Sequence, residues 1–468
     1  MTETKIRIYS GLDTIGGVVM EIRYENCRAF FEAGMAYDPA FDMFDGKVSR
    51  RDNIVADDLW LNQIPLIDGI YRKKDIEKRY PDLKPAEGYD IDDQAFFVSH
   101  LHLDHMAMIN RISPEVKIYM TRPAQILEKA LEDVSQGVDG EPREYSDMKE
   151  ETLVGKIRVK RFILNDDSYQ DLSFYIETPD LKIHFTGDVF VYGKYRDNIL
   201  KEIEFLKEKK PDLLFCEGTR FFSNAEYKEQ IVPSLSEKPG HLTKNQLDER
   251  IVQTMKDYDG LIVFNYYERE MSDVKDFENF AKTADRQIVY EPESAHLVNV
   301  FYQKKVNVMM PDTYEKKPEY LDEILEFNNV IEKKQILEYP KQYLVQNTYP
   351  NMLELFDYRN IRTLYLHHSG IPLGDFDPKL KNLIKVIEAC GFDYRKTYQW
   401  EDGYFSPHAE NYQILAYIEA VGASLTVPLH TSNRKGMISQ MTTPYFYAEK
   451  NITYRYNKEK NTLEADDE

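Results

Sequence analysis

The chain lacks the cysteines of a disulfide-stabilised protein and the long apolar runs of a membrane protein. Only Cys27, Cys216 and Cys390 occur in 468 residues, an odd number at wide spacing, so no disulfide framework is indicated. No run of about 18 apolar residues is present, which argues against a membrane-spanning helix. The first residues also lack the apolar core of a signal peptide. We therefore expect a cytoplasmic protein with no membrane partner.

Acidic residues outnumber basic ones. Lys and Arg total 60 against 81 Asp and Glu, so the formal net charge is −21 at pH 7. This balance argues against a nucleic-acid partner, because Lys and Arg side chains drive binding to phosphates. Net charge is nevertheless an average over the whole surface, and a pair of metal ions is itself a strong local positive charge. The acidity weakens a nucleic-acid function without excluding it.

Histidine is rare, yet three of the ten histidines fall within residues 100–105, directly after the apolar run 95–98. Residues two apart at a strand end point to the same side, so His100 and His102 can bind one ion. Asp104 and His105 follow the turn and face a second ion. Imidazole and carboxylate ligands suit Zn²⁺, and the oxygen ligand also admits Mn²⁺. The spacing predicts a site for two divalent metal ions, with zinc favoured and manganese as the alternative.

The length of the chain predicts two domains of mixed α/β structure. Short strands are expected within residues 5–34 and 157–185. From residue 244, helices and strands alternate up to residue 309, a rhythm typical of an α/β unit with a largely parallel sheet. We expect the strand at residues 362–366 to return the chain to the first domain.

The HxHxDH run resembles the motif of the metallo-β-lactamase superfamily. The resemblance extends to Asp188, which follows Gly187 at a strand end and matches the aspartate that bridges the two ions. Glu32 matches a position whose side chain supports the loop that carries the metal ligands. Simple exposure of the Glu32 side chain at the surface is the alternative. The chain departs from the family where a further histidine is expected. Either Asp166 (or Asp167) replaces that histidine as an oxygen ligand, or the first metal site is weakened.

Later motifs resemble the β-CASP subgroup, the nucleic-acid-processing branch of the superfamily. Glu217 precedes a glycine and a threonine as in its first signature, His408 lies in a Ser-small-His loop, and His430 ends an apolar strand. Pro407 replaces the usual small residue of that loop. Taken together the motifs look like those of ribonuclease J-like enzymes. This resemblance implies a metallo-β-lactamase αββα sandwich (residues 1–216 and 367–468) with an inserted α/β β-CASP domain (residues 217–366).

The resemblance also implies the roles of the site residues. One ion would be held by His100, His102, Asp166 and Asp188. The other would be held by Asp104, His105, Asp188 and His430.

His408, oriented by Glu217, would act on the phosphate or the leaving oxygen, with Asp104 as a further catalytic residue. Ser406, Ser432 and Asn433 are candidates for substrate contacts. The adjacent His367 and His368 face opposite ways on an extended chain, so we interpret them as structural or substrate-loop residues.

Within the subgroup that the chain resembles, a histidine at the position of His430 is typical of the RNA-processing branch, so the resemblance implies single-stranded RNA instead of DNA as the substrate. The expected activity is metal-dependent hydrolysis of RNA, with exonuclease and endonuclease action both open. A hydrolase of small esters or thioesters, and a catalytically decayed nucleic-acid-binding module, are the alternatives. Homo-oligomerisation is also left open.

Overall fold

The structure is a computed structural model that describes residues 3–36, 48–165, 170–193, 195–312 and 319–466. It has a mixed α/β fold with several sheets, as the sequence predicts. The strands are β1 (Lys5–Ser10), β2 (Val19–Tyr24), β3 (Cys27–Phe31), β4 (Asp93–Phe97), β5 (Lys117–Met120), β6 (Ser146–Asp147), β7 (Glu151–Val154), β8 (Ile157–Asn165), β9 (Asp171–Glu177), β10 (Lys182–Phe185), β11 (Leu213–Glu217), β12 (Leu261–Asn265), β13 (Gln287–Val289), β14 (Asn307–Val308), β15 (Asn329–Val330), β16 (Tyr343–Gln346), β17 (Thr363–His367), β18 (Asp393–Lys396), β19 (Gln399–Trp400), β20 (Gly403–Tyr404), β21 (Leu425–Leu429), β22 (Thr453–Asn457) and β23 (Thr462–Ala465).

The helices lie between these strands and include several turns of 3₁₀ helix. The α-helices are α1 (Ile54–Trp60), α2 (Lys73–Ile76), α3 (Leu103–Met106), α4 (Arg122–Asp133), α5 (Tyr195–Lys209), α6 (Lys244–Asp257), α7 (Met271–Thr283), α8 (Pro292–Tyr302), α9 (Leu321–Phe327), α10 (Lys333–Glu338), α11 (Leu380–Cys390), α12 (Asn411–Val421) and α13 (Arg434–Gln440). The 3₁₀ segments are Ile109–Arg111, Pro340–Gln342 and Tyr349–Tyr358. In the described parts of the chain, no helix is both long and apolar enough to span a lipid bilayer.

Two of the sheets stack face to face. The eight-stranded sheet has the order β23-β22-β1-β2-β3-β4-β5-β6, and the six-stranded sheet has the order β21-β11-β10-β9-β8-β7. Their shared core is aromatic, with the Phe31 ring 5.5 Å from that of Phe174 and 5.9 Å from that of Phe185. Helices cover both outer faces, with α1 and α4 against the first sheet and α5 and α12 against the second. The layers therefore run helix, sheet, sheet, helix.

A third sheet has five parallel strands in the order β13-β16-β12-β17-β18. Helices α6, α7 and α8 pack on one of its faces and α11 on the other, which is why its central strands β16, β12 and β17 are buried on both sides. The capping box predicted at Thr243 and Gln246 begins α6. The alternation of helix and strand thus forms the largely parallel unit that the sequence indicates.

The third sheet extends further along the chain than the sequence predicts. Thr363–His367 does not return to the stacked sheets, because β17 pairs with β12 from Leu261↔Thr363 to Asn265↔His367. The next strand, β18, then pairs with β17. The expected boundary at residue 366 therefore falls inside a strand of the third sheet, and that sheet continues to Lys396. A short, partly apolar strand does not reveal which sheet it joins, since that choice depends on long-range pairing.

Candidate metal centre

The predicted metal ligands follow strands that end at one edge of the stacked sheets. Strands β10, β11 and β21 are parallel neighbours, so Asp188, Glu217 and His430 emerge side by side. The HxHxDH run follows β4 in the facing sheet. Gly187 has a φ of 56°, and a Cβ atom at this position would lie 2.5 Å from the carbonyl oxygen of Leu172. Glycine is therefore required for the turn that brings Asp188 into the cluster.

His100, His102 and Asp188 form a first group, in which one potential ligand atom from each residue lies within 4.8 Å of the others. His100 Nε2 is 3.1 Å from His102 Nδ1 and 3.5 Å from Asp188 Oδ2. The hydroxyl of Ser99 lies 2.8 Å from His100 Nδ1 and fixes the plane of that ring. Nitrogens that face each other this closely around a carboxylate form a donor set suited to a divalent ion.

Asp104, His105 and His430 form a second group within the same distance limit. His430 Nε2 lies 3.0 Å from His105 Nε2 and 3.2 Å from Asp104 Oδ2. His430 adopts a φ of 49°, and its Nδ1 is 3.0 Å from the Thr219 hydroxyl. A partner on the other ring nitrogen is typical of histidines that bind metals, because it sets the orientation of the ring.

Asp188 lies between the two groups. Its Oδ2 faces His100, while its Oδ1 is 3.4 Å from His105 Nε2 and 3.7 Å from His430 Nε2. Asp188 is 3 % exposed, and its Oδ1 is a buried atom without a hydrogen-bond partner. An ionised buried carboxylate is costly unless it is paired, so this orphaned oxygen is the feature that best fits a bound cation.

The electrostatics differ between the two ligand groups. Burial, together with the neighbouring His105, holds the pKa of His100 well below its usual value, and burial lowers that of His102 to about 4. Both are therefore neutral at pH 7, which is the form of imidazole that binds a metal ion. Burial also opposes the charge of His105, but Asp188, Asp104 and Glu32 outweigh it and raise the pKa of that imidazole well above normal.

Glu32 holds the ligand loop from below. It is fully buried, with Oε1 3.2 Å from His105 Nδ1 and Oε2 accepting a hydrogen bond from Ser99 N at 3.1 Å. The alternative of surface exposure is therefore wrong. A carboxylate on the second nitrogen of a histidine ligand orients the ring and raises its basicity.

His408 and Glu217 lie on the other side of Asp188. His408 Nδ1 is 3.6 Å from Asp188 Oδ2 and has no hydrogen-bond partner, while 26 % of the side chain is exposed. Glu217 is buried within 4.8 Å of both residues, but its oxygens accept hydrogen bonds from the amides of Val189 (2.8 Å) and Thr219 (3.0 Å). Glu217 therefore contacts the residue after Asp188 and also Thr219, whose hydroxyl lies beside His430. Its predicted action on His408 stays a prediction.

The remaining predicted residues lie close to this edge but make contacts within the protein. Ser406 donates a hydrogen bond to the carbonyl of His408 (2.7 Å), and Ser432 donates one to Phe221 O (3.4 Å). Asn433 caps α13 by accepting a hydrogen bond from Gly436 N. Their roles in substrate binding stay predictions. Asp166 and Asp167 lie outside the described residues.

The adjacent histidines of the third sheet do not join the metal cluster. His367 Nδ1 is 2.8 Å from the Tyr394 hydroxyl, and His368 Nδ1 is 2.6 Å from that of Thr397. The two rings therefore have separate partners, in agreement with the structural interpretation.

Sequence reasoning missed the segment that follows β12. The Tyr267 ring packs 5.4 Å from that of His102, and the buried Arg269 reaches the HxHxDH loop. A polar and aromatic run directly after a buried strand is the only signal that could have indicated this segment.

Comparisons with known proteins give a match in fold but no matching family model. No protein-family model and no curated protein matches the chain. A crystal structure of a protein of unknown function from Enterococcus faecalis V583 is similar, with a TM-score of 0.74, 23% identity, and coverage of 96% of this chain and 99% of that one. The metallo-beta-lactamase fold protein YhfI from Bacillus subtilis matches with a TM-score of 0.27 and 13% identity, over 48% of this chain and 75% of that chain. The first match shows a shared fold, and the second is too distant to indicate one.

Proposed function

We propose that this chain is a metal-dependent hydrolase that cleaves the phosphodiester bonds of RNA, with a metallo-β-lactamase fold and a β-CASP-type insertion like that of ribonuclease J-like enzymes. One observation carries the proposal. Two ligand groups meet at Asp188, and the partly exposed His408 faces the same carboxylate. A paired metal site with a histidine beside it is an arrangement suited to attack on a phosphate by water.

We assign the metal ligands as follows. His100 and His102 would hold one ion, Asp104, His105 and His430 the other, and Asp188 both. Zn²⁺ fits this donor set of imidazoles and carboxylates best, with Mn²⁺ as the alternative. When bound, two divalent ions supply an activated water molecule and offset the charge that develops at the attacked phosphate.

His408 is the candidate proton donor. Its ring is stacked on Phe190 with centroids 6.0 Å apart, which fixes its plane while leaving one edge open to solvent. It can donate a hydrogen bond to a phosphate oxygen or protonate the leaving oxygen. Glu217 accepts hydrogen bonds from the amides of Val189, which follows Asp188, and of Thr219, whose hydroxyl contacts His430 Nδ1.

A small ester or thioester is the second candidate substrate. Burial raises the pKa of Tyr192 well above normal, and the nearby carboxyls of Glu270, Asp171 and Asp273 raise it further. Tyr192 is four residues from Asp188, so acidic groups lie close to the cluster on this side. Where these carboxyls are ionised, their negative charge disfavours a long polyanion more than an uncharged ester.

The test is degradation of a 5′-monophosphorylated single-stranded RNA, with matched DNA and a small thioester, in the presence of Zn²⁺ or Mn²⁺. We expect metal-dependent loss of RNA that is abolished in His408→Ala and Asp104→Ala. His296→Ala is the matched control, since His296 lies on α8 and contacts Asp133 instead of the cluster. Thioester cleavage without RNA loss would transfer the proposal to small esters. Two bound ions without turnover of any substrate would favour a decayed binding module.

A further inference from the structure

We propose that Arg269 is a positioning residue for the metal ligands, a clamp from the five-stranded sheet that holds the HxHxDH loop in its ligand geometry. The inference rests on the proposed metal centre and adds a residue outside it. Arg269 follows β12 and is 4 % exposed. A buried guanidinium is costly unless its donors are satisfied, so its partners indicate its role.

The partners of Arg269 surround the ligand motif. Its Nη1 donates to the carbonyl oxygen of Leu101 (3.3 Å), the residue between His100 and His102. The same nitrogen lies 3.6 Å from the sulfur of Met106, which follows His105. One guanidinium therefore contacts the motif on both sides of its turn.

Glu128 on α4 balances the charge of Arg269. Its Nη1 forms an ion pair with Glu128 Oε2 at 2.9 Å, and Glu128 is fully buried. Its Nη2 donates to the carbonyl of Gln136 at 2.8 Å. Glu128 Oε1 in turn accepts a hydrogen bond from Val138 N at 3.1 Å. The clamp thus joins the ligand loop, α4 and the third sheet in one network.

Tyr267 belongs to the same segment and supports the same loop. Its ring lies 5.4 Å from that of His102, and its amide donates to the Ser369 hydroxyl at 3.1 Å. The segment after β12 therefore contacts a ligand ring through Tyr267 and the ligand backbone through Arg269. A planar fork that donates in several directions cannot be replaced by a lysine, which is a point charge.

The experiment compares Arg269→Lys with Arg286→Lys. Arg286 is the matched control because it is also buried (6 % exposed) but donates to carbonyl oxygens within the third-sheet unit, including Met255 at 3.0 Å and Gly260 at 2.9 Å. Zn²⁺ affinity is measured by competition with a chelator. We expect Arg269→Lys to weaken binding by about 10- to 100-fold, the range seen when groups that orient ligands are removed. Arg286→Lys should leave the affinity within about twofold.

A second readout does not need metal. Met106 N and Ala107 N donate to the carbonyls of His102 and Leu103 at 3.1 and 2.8 Å. In metal-free protein we expect these amides to exchange hydrogen faster in Arg269→Lys than in wild type, with no change in Arg286→Lys. If Arg269→Lys fails to fold, Glu128→Gln decides by the same two measurements.

Unchanged Zn²⁺ affinity together with unchanged amide exchange would overturn the inference. The proposed metal centre fails in a different way, because wild type would then bind no divalent ion, whereas a failure of RNA hydrolysis alone would leave the Zn²⁺ affinities measurable. The exchange rates of metal-free protein would still report whether Arg269 holds the loop.

Discussion

Glu202 should make the stability of this protein depend on pH, and Glu202→Gln should remove that dependence. Glu202 lies on α5 beneath the strands that lead to the metal cluster and is 1 % exposed. It accepts hydrogen bonds from the hydroxyls of Ser173 on β9 and Tyr417 on α12, the latter at 2.9 Å. Burial outweighs both bonds and raises its pKa to about 7.

The raised pKa of Glu202 determines whether the protein gains or loses stability as the pH rises. A carboxyl whose pKa is higher in the folded state holds its proton more tightly there, so folding is favoured while the group stays protonated. That contribution is complete below the unfolded pKa of about 4.5 and is lost as the pH rises through about 7. A rise of about 2.5 units corresponds to about 3 kcal/mol at 1.36 kcal/mol per unit.

Glutamine cannot ionise and keeps the shape of the acid. At pH 8 we therefore expect Glu202→Gln to be more stable than wild type by up to about 3 kcal/mol, and at pH 5 to be equal or slightly less stable. The assay is denaturant unfolding of metal-free protein at both pH values, which removes any contribution from bound ions. Glu204→Gln, at an exposed position on the same helix, is the control. A difference between variant and wild type that is the same at pH 5 and pH 8 would refute the reasoning.

Three further predictions concern the cluster itself. Asp188→Asn should abolish binding of at least one of two Zn²⁺ ions and reduce hydrolysis by more than about 100-fold, because this carboxylate faces both ligand groups. Elemental analysis and RNA degradation check this prediction, and full occupancy by two ions would contradict it. Gly187→Ala should destabilise the fold by about 1–3 kcal/mol, since its φ is positive and a Cβ would clash with Leu172 O; thermal unfolding measures the loss. Thr219→Val should weaken Zn²⁺ binding by about 10-fold by removing the hydroxyl beside His430 Nδ1, and an unchanged affinity in a chelator competition would count against that role.

The candidate ligands could be predicted from the sequence because several of them lie close together along the chain. His100, His102, Asp104 and His105 are so closely spaced that a strand and a turn alone bring them together. Asp188 follows a glycine at a strand end, a short pattern of the same kind. The α/β class could also be predicted, since alternating helices and strands repeat along the chain.

Other features depended on pairing between distant residues. His430 lies 3.0 Å from His105 only because β21 takes its place beside β11 at the edge of the six-stranded sheet. Whether Glu32 is buried or exposed was left open for the same reason, and the expected return of residues 362–366 to the first domain was wrong. Local sequence propensity predicts that a segment forms a strand, but it does not predict which strands that segment pairs with.

The sequence by itself determined the chemical groups of the site and the order in which strands deliver them. The tertiary structure alone decided how those groups meet and what holds them. The clearest case is Arg269, whose residue type and position after β12 give no sign of Leu101 or Glu128 as partners. Hydrogen bonds and burial act between residues that are distant along the chain, so the contacts of Arg269 could be recognised only from the packed structure.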